Sequence, residues 1–324
     1  MSTTRTEAPR TDATTRPRLL RGLSWLVARQ HRGALFSLLG ATVLGPIWIV
    51  YERSRMKDVL DAVGWPGKDL PTPSFDSDGV SLIISALGAL PLLLAVFVGA
   101  PLVSGDKENG TAQLVTTQSV TRLRWMVTKF AWVYGSVLVT AVVLSAVFTW
   151  WWKPLRPVFS YDWSSGSVFN ITGPVLPALC LFLTAVGITL GVLVRRVLPA
   201  MAIALFFSWF FGVFWERMIS SLAATRTLVY PLEADMPARL DDALEVDRWI
   251  GSADGELYGW GMCAKATEKA SDACVEKYGI VNNVYEYLGF DQMAGMQWTG
   301  AGLLLAGTAV LTALVLWRVS RRPL

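Results

Sequence analysis

The sequence predicts an all-α membrane protein with six transmembrane helices, and three observations predict it. Hydrophobic residues make up 53% of the 324 positions and charged residues only 17%, against ~25% charged in an ordinary soluble domain. Mean hydropathy is +0.42. Six apolar runs, over residues 33–51, 80–103, 130–152, 172–194, 197–215 and 298–317, approach the ~20 residues that cross a ~30 Å hydrocarbon core at ~1.5 Å per residue. In lipid a helix satisfies its own backbone N–H and C=O groups, and runs that are continuous rather than alternating argue against a β-barrel.

Taken in order, residues 1–16 are rich in Ser, Thr, Arg and Pro and read as a disordered cytoplasmic tail, without the apolar core or cleavage site of a signal peptide. Residues 17–32 place Leu19, Leu20, Leu23, Leu26 and Val27 on one helical face. Arg18, Arg21, Arg29 and Arg32 lie opposite, with Trp25 among them. This is the pattern of an amphipathic helix lying on the inner leaflet; a flexible basic tail is the competing reading. Pro46 kinks the first span, and a loop rich in Pro, Gly and Asp follows over 52–79 on the outer side. The second span carries Pro91 and ends at Gly99-Ala100-Pro101.

The polar stretch Ser104–Lys129 comes next, between two apolar runs. Its Asn109-Gly110 pair is a turn signal within the run Gly105–Thr111. Residues 111–115 suit one short helix, and Ser119 or Thr121 can cap the next. In that second helix Leu123, Met126, Val127 and Phe130 share a face, with Arg122, Arg124, Thr128 and Lys129 mostly elsewhere. The expectation is a polar elbow leading into an amphipathic helix that climbs into the third span.

The third span ends in Trp150-Trp151-Trp152 before Lys153, which suits the headgroup belt; a ligand-stacking platform is the alternative. The fourth has Pro174 and Pro177 near its start and Gly187-x-x-x-Gly191 near its end, a spacing that lets another helix approach closely. Arg195-Arg196 makes a tight turn into the fifth span, which is dense in Phe and Trp from Phe206 to Trp215. Those rings face lipid or simply pack. Residues 216–297, with 14 acidic and 7 basic side chains, read as a folded extracytoplasmic lobe. An oxidising compartment favours a disulfide between Cys263 and Cys274 over two free thiols; Cys180, within a span, reads as packing. The sixth span and a basic cytoplasmic tail occupy 298–324.

Lys and Arg near span ends orient the chain. Arg29, Arg32, Arg122, Arg124, Lys129, Arg195, Arg196, Arg318, Arg321 and Arg322 place both termini in the cytoplasm, against Arg53, Arg55 and Lys57 after the first span. No phosphate-binding loop, nucleophile elbow or H-E-x-x-H is present. No catalytic or metal-ligating set stands out; His31, the one histidine, reads as a solvated interfacial residue. Spans nearly free of ionisable groups argue against a proton- or ion-coupled carrier and for energy supplied from outside the chain.

At Glu108-Asn109-Gly110-Thr111, Thr117-Gln118-Ser119-Val120-Thr121-Arg122, Trp125 and Lys129 the sequence resembles bacterial ATP-binding-cassette (ABC) exporter permeases of the type-two superfamily. It departs from them at Ser119, where many relatives have Pro, and its long cysteine-bearing outer loop resembles an actinobacterial subset. The resemblance implies a multi-pass permease of the bacterial plasma membrane that exports a hydrophobic or amphipathic molecule, antibiotic or lipid-like. It implies two cytoplasmic ABC ATPase subunits that hold the ATP and Mg, leaving this chain without a cofactor and without enzymatic activity of its own. A second permease copy, as a homodimer, and membrane lipids are the other partners implied; nucleic acid is not one. Coupling to the ATPase would fall on Glu108, Asn109, Gly110, Thr111, Gln118, Arg122, Trp125 and Lys129. Among them Glu108 would be a docking or helix-capping anion, Gly110 a turn and Arg122 a charged contact. Two other classes compete: a non-transporting sensor or immunity protein that binds through its acidic lobe, and a membrane enzyme.

Overall fold

The computed structural model describes residues 23–67, 78–110, 121–159, 163 and 166–321. Among these, six helical stretches are long and apolar enough to cross a membrane: Arg32–Val63, Asp78–Glu108, Arg122–Val158, Val175–Leu193, Val197–Ile219 and Phe290–Arg321. We name the helices α1 (Leu23–Gln30), α2 (Arg32–Val63), α3 (Asp78–Leu94), α4 (Pro101–Glu108), α5 (Arg122–Leu155) and α6 (Gly166–Ile171). After them come α7 (Val175–Leu193), α8 (Val197–Ile219), α9 (Glu268–Lys277) and α10 (Met293–Arg321). A π-helical turn, Ala95–Gly99, links α3 to α4.

The bundle is organised around α7, which is buried along nearly all its length, whereas α2 and α8 bury few residues. Glycine makes that central position possible. A Cβ on Gly187 would strike the Ala95 carbonyl oxygen, one on Gly191 the Ala100 carbonyl oxygen, and one on Gly99 would lie 2.6 Å from the Thr184 oxygen. The Gly187-x-x-x-Gly191 pair therefore brings α7 against the π turn of the same chain.

Three expectations about the spans are corrected. The loop begins later than residue 52, because α2 runs on to Val63 before Gly64, at φ 86°, stops it. Glu52, Met56 and Leu60, one turn apart, are the buried face of that extension. The Glu52 carboxylate lies against Gly79 in the first turn of α3, where the helix dipole favours an anion. Second, Trp151 and Trp152 are 0% and 2% exposed; they pack on Phe148, Phe159 and Phe290. Only Trp150 remains at the surface, under the Arg53 guanidinium at 3.7 Å. Third, the buried face at the start of α5 is Trp125, Met126, Lys129 and Phe130, with Leu123 and Val127 exposed.

The all-α expectation is also corrected: residues 226–288 contain a four-stranded antiparallel sheet. Its strands are β1 (Arg226–Pro231), β2 (Leu244–Ser252), β3 (Leu257–Gly259) and β4 (Ile280–Leu288), in the order β1-β4-β2-β3. The strands alternate: Leu228, Tyr230, Tyr285 and Tyr287 share one face and pack with Leu240. Phe290, which opens the last span, sits under the Arg156 guanidinium and beside Trp152 and Trp163. Arg156 pairs with Asp242 at 2.7 Å, and the Trp163 indole donates to the Asp242 carbonyl at 2.8 Å. The lobe is thus tied to the ends of α5 and α10.

Cys263 and Cys274 form a disulfide in a small cluster with Ile250 and Ile280. With a sequence separation of 11, its removal should cost the lobe about 2–3 kcal/mol in the loop-entropy account. The Cys263→Ser, Cys274→Ser chain is expected to be cleaved within 253–279 by dilute protease while the helical bundle stays intact. Cleavage at the wild-type rate would show that the bridge does not hold the lobe.

Candidate functional site

The polar stretch is built differently from a run of turns. Residues 101–108 form α4, closed by Asn109 and by Gly110 at φ 69°. Leu102, Val103 and Asp106 lie on its buried face, so the i, i+4 spacing of Leu102 and Asp106 carries a carboxylate inward. Three consecutive charged residues then leave α4 toward different elements. Asp106 receives hydrogen bonds from the Lys129 ammonium on α5 and from the Gln30 amide on α1. The Lys107 ammonium donates to the Val192 carbonyl oxygen at the end of α7. Glu108 Oε2 accepts from the Val197 backbone N–H, the first of α8, at 2.8 Å.

Each contact fits the helix ends it meets. An ammonium at the C-terminal end of α7 and a carboxylate at the N-terminal end of α8 both oppose the local partial charge. Lys129 is 0% exposed and Asp106 3%. Lys129 also donates to the Leu102 carbonyl at 2.9 Å and lies 4.4 Å from the centre of the Trp125 ring. A buried ammonium holding a carboxylate, a carbonyl and an aromatic face has the partners that burial demands.

His31 closes the cluster from the α1–α2 junction and is not the solvated residue the sequence suggested. Its Nε2 is buried without a hydrogen-bond partner among the described residues. Burial, reinforced by Lys129 and opposed by Asp106, pushes its pKa down to about 4. The imidazole is therefore neutral at pH 7, and the Lys129 charge faces Asp106 without a second cation beside it.

The remaining expected positions fall as follows. Asn109 and Gly110 are exposed at the end of α4. Thr111 and Gln118 lie outside the described residues, as does the short helix expected at 111–115. Thr121 caps α5, accepting from the Arg124 N–H at 3.3 Å. Arg122 is half-buried, Trp125 is 3% exposed, and Lys129 is in the ion pair. Arg18 and Arg21 lie outside the described residues; Arg29 stacks over an exposed Trp25 at 5.1 Å. Among the described residues no three His, Cys, Asp or Glu side chains gather as a metal site. Sequence reasoning missed Gln30, Asp106 and Lys107. Asp106 had one available signal, its helical spacing from Leu102, hidden by reading Gly105–Thr111 as turns.

Six apolar helices with an ion-paired hub at one end and a folded lobe at the other define a multi-pass membrane protein. The chain matches the family described as ABC-2 membrane transporter related over residues 39–220, more than half its length, and it belongs to that family. Members are membrane subunits of the permease kind, which implies association with an ATPase subunit. No curated protein and no solved structure matches the chain.

Proposed function

We propose that this chain is the permease subunit of an ABC exporter, moving a hydrophobic or amphipathic molecule, antibiotic or lipid-like, across the bacterial plasma membrane. Two cytoplasmic ATPase subunits, holding ATP and Mg, drive it, and a second copy of the chain completes the translocating unit as a homodimer. The observation that carries this reading is the wiring of α4. Asp106, Lys107 and Glu108 reach α1, α5, α7 and α8, and the motif resembling exporter permeases begins at Glu108.

A push on Asn109, Gly110, Thr111, Gln118 or Arg122 from below would reach four helices through α4 within one turn. Trp125 and Lys129 are buried, so their share in coupling is transmission rather than contact. ATP must favour one arrangement of the spans over another for the push to do work. The basic end, with Arg122, Arg195, Arg196, Arg318 and Arg321, faces the cytoplasm in this reading, and the disulfide-bearing lobe faces the oxidising side. Arg29 and Trp25 on α1, with Arg18 and Arg21 before it in sequence, hold the N-terminal segment to the inner leaflet.

The test is purification of the tagged chain from its host in mild detergent. An ATPase with a phosphate-binding loop is expected to co-purify with it. Gly110→Pro and Glu108→Lys are each expected to lower transport-coupled ATP hydrolysis at least about tenfold, a loss of about 1.4 kcal/mol, with normal membrane insertion. Full coupling in both variants would remove the docking assignment, and absence of any ATPase after crosslinking in intact membranes would remove the export reading.

A further inference from the structure

We propose that the open cleft between α3, α6, α7 and α8 is a binding site for a lipophilic cation, which, given the export reading, names the substrate class. The cleft has a volume of about 440 Å³, within the size range of small-molecule sites. It runs along α8 from Ser208 to Glu216; eight residues of helix make that about 12 Å. Since α8 starts at Val197 and ends at Ile219, Ser208 lies near mid-span and Glu216 at the lobe end.

Three features point to a cation. Among the described residues lining the cleft Glu216 alone is charged; it is exposed at the cleft mouth, its carboxylate lies against Gly166 at the start of α6, and no described Lys or Arg pairs with it. Phe211, Trp209 and Trp215 line the same wall, Trp209 exposed and Trp215 buried, and aromatic faces attract cations. Trp215 is held in place by its indole N–H, which donates to Asn170 Oδ1 at 2.8 Å. At the deep end the Ser208 hydroxyl, 3% exposed, has no hydrogen-bond partner among the described residues. Buried polar groups are normally partnered, and a hydroxyl rotates freely enough to turn its lone pairs on a positive charge. An anion would meet the Glu216 carboxylate and the acidic excess of the lobe that follows it, 14 acidic against 7 basic residues over 216–297.

The space is kept open by glycine: a Cβ on Gly88 or Gly212, both lining the cleft, meets nothing within 4 Å. A Cβ at either exposed position has room, so Gly88→Leu and Gly212→Leu add bulk at the cleft with no clash at the first side-chain carbon.

Equilibrium binding of radiolabelled tetraphenylphosphonium to the full chain in nanodiscs of zwitterionic lipid tests the proposal, with tetraphenylborate, its near-isostere of opposite charge, as competitor. Saturable binding is expected. Glu216→Gln should weaken it about tenfold, or about 1.4 kcal/mol; Gly88→Leu and Gly212→Leu, eluting as monodisperse protein, should abolish it. Tetraphenylborate should not compete. No saturable binding by the monodisperse wild type, unchanged affinity in Glu216→Gln, or equal competition by tetraphenylborate would overturn the proposal. The measurement needs no ATPase, so the two readings separate: an ATPase that co-purifies while the cation fails to bind sinks only the cleft, and binding without an ATPase sinks only the export reading.

Discussion

Replacing Lys129 with Met will destabilise the bundle by about 3–5 kcal/mol, the usual cost of leaving one partner of a buried ion pair alone. Asp106 would then keep the Gln30 amide but lose the ammonium that neutralises it, in a site 3% exposed. Asp106→Leu strands the ammonium instead, leaving it the Leu102 carbonyl and the Trp125 ring among the described residues, and should cost a similar amount. The double variant Lys129→Met, Asp106→Leu removes both charges. It should recover most of the loss, since buried pairs replaced by apolar groups of similar volume are often near neutral. Thermal unfolding of the detergent-solubilised chain, followed by loss of its monodisperse peak, reads all three. Single variants as stable as wild type would mean that the two charges are not paired in a dry site. The double variant has a second use: it keeps the fold while cutting the tie from α4 to α5, so ATPase coupling lost in it would assign transmission to this pair.

Gly187→Leu is expected to have the second large effect. Its Cβ would press on the Ala95 carbonyl oxygen and come within 3.0 Å of the Ala100 N, and backbone atoms in a π turn have nowhere to retreat. Overpacking a core typically costs about 1–3 kcal/mol and occasionally more. Here the clash parts the two helices whose contact centres the bundle, so about 3 kcal/mol is expected. Gly40→Leu is the control, because a Cβ there meets nothing within 4 Å. Half-buried on α2 and away from packed features, it should change stability by no more than about 0.5 kcal/mol. Equal melting of the two variants would show that the α7–π-turn approach is not a tight one.

The spans were legible for a direct reason: lipid admits few alternatives, and a run of about 20 apolar residues has one economical structure in it. The turn signal at Asn109-Gly110 was legible too, because the backbone there needs φ 69°, which Gly adopts without strain. Less legible was which polar residues of the stretch turn inward. Asp106, Lys107 and Glu108 are adjacent in sequence and chemically alike as surface residues. Only the positions of Lys129, Val192 and Val197 around them give each a different partner. Trp151 and Trp152 were misread for the same reason, since an indole near a span end suits a headgroup belt until Phe290 is known to cover it. The sheet escaped the composition argument because it sits in a lobe whose polarity is that of an ordinary water-soluble surface, and overall composition does not distinguish strand from helix there.

By itself, then, the sequence determined that the chain crosses a membrane with six helices, that basic residues gather at one end and acidic ones at the other, and where its motif-bearing polar stretch lies. These follow from hydrophobicity, length and charge, which are properties of segments taken singly. Tertiary structure alone decided that Asp106 is buried against Lys129, that Gly187 and Gly191 serve contacts within the chain, and that the lobe is a sheet pinned by Phe290 and Asp242. Those are properties of pairs far apart in sequence, where burial, helix-end charge and close backbone approach exist only once the segments have met.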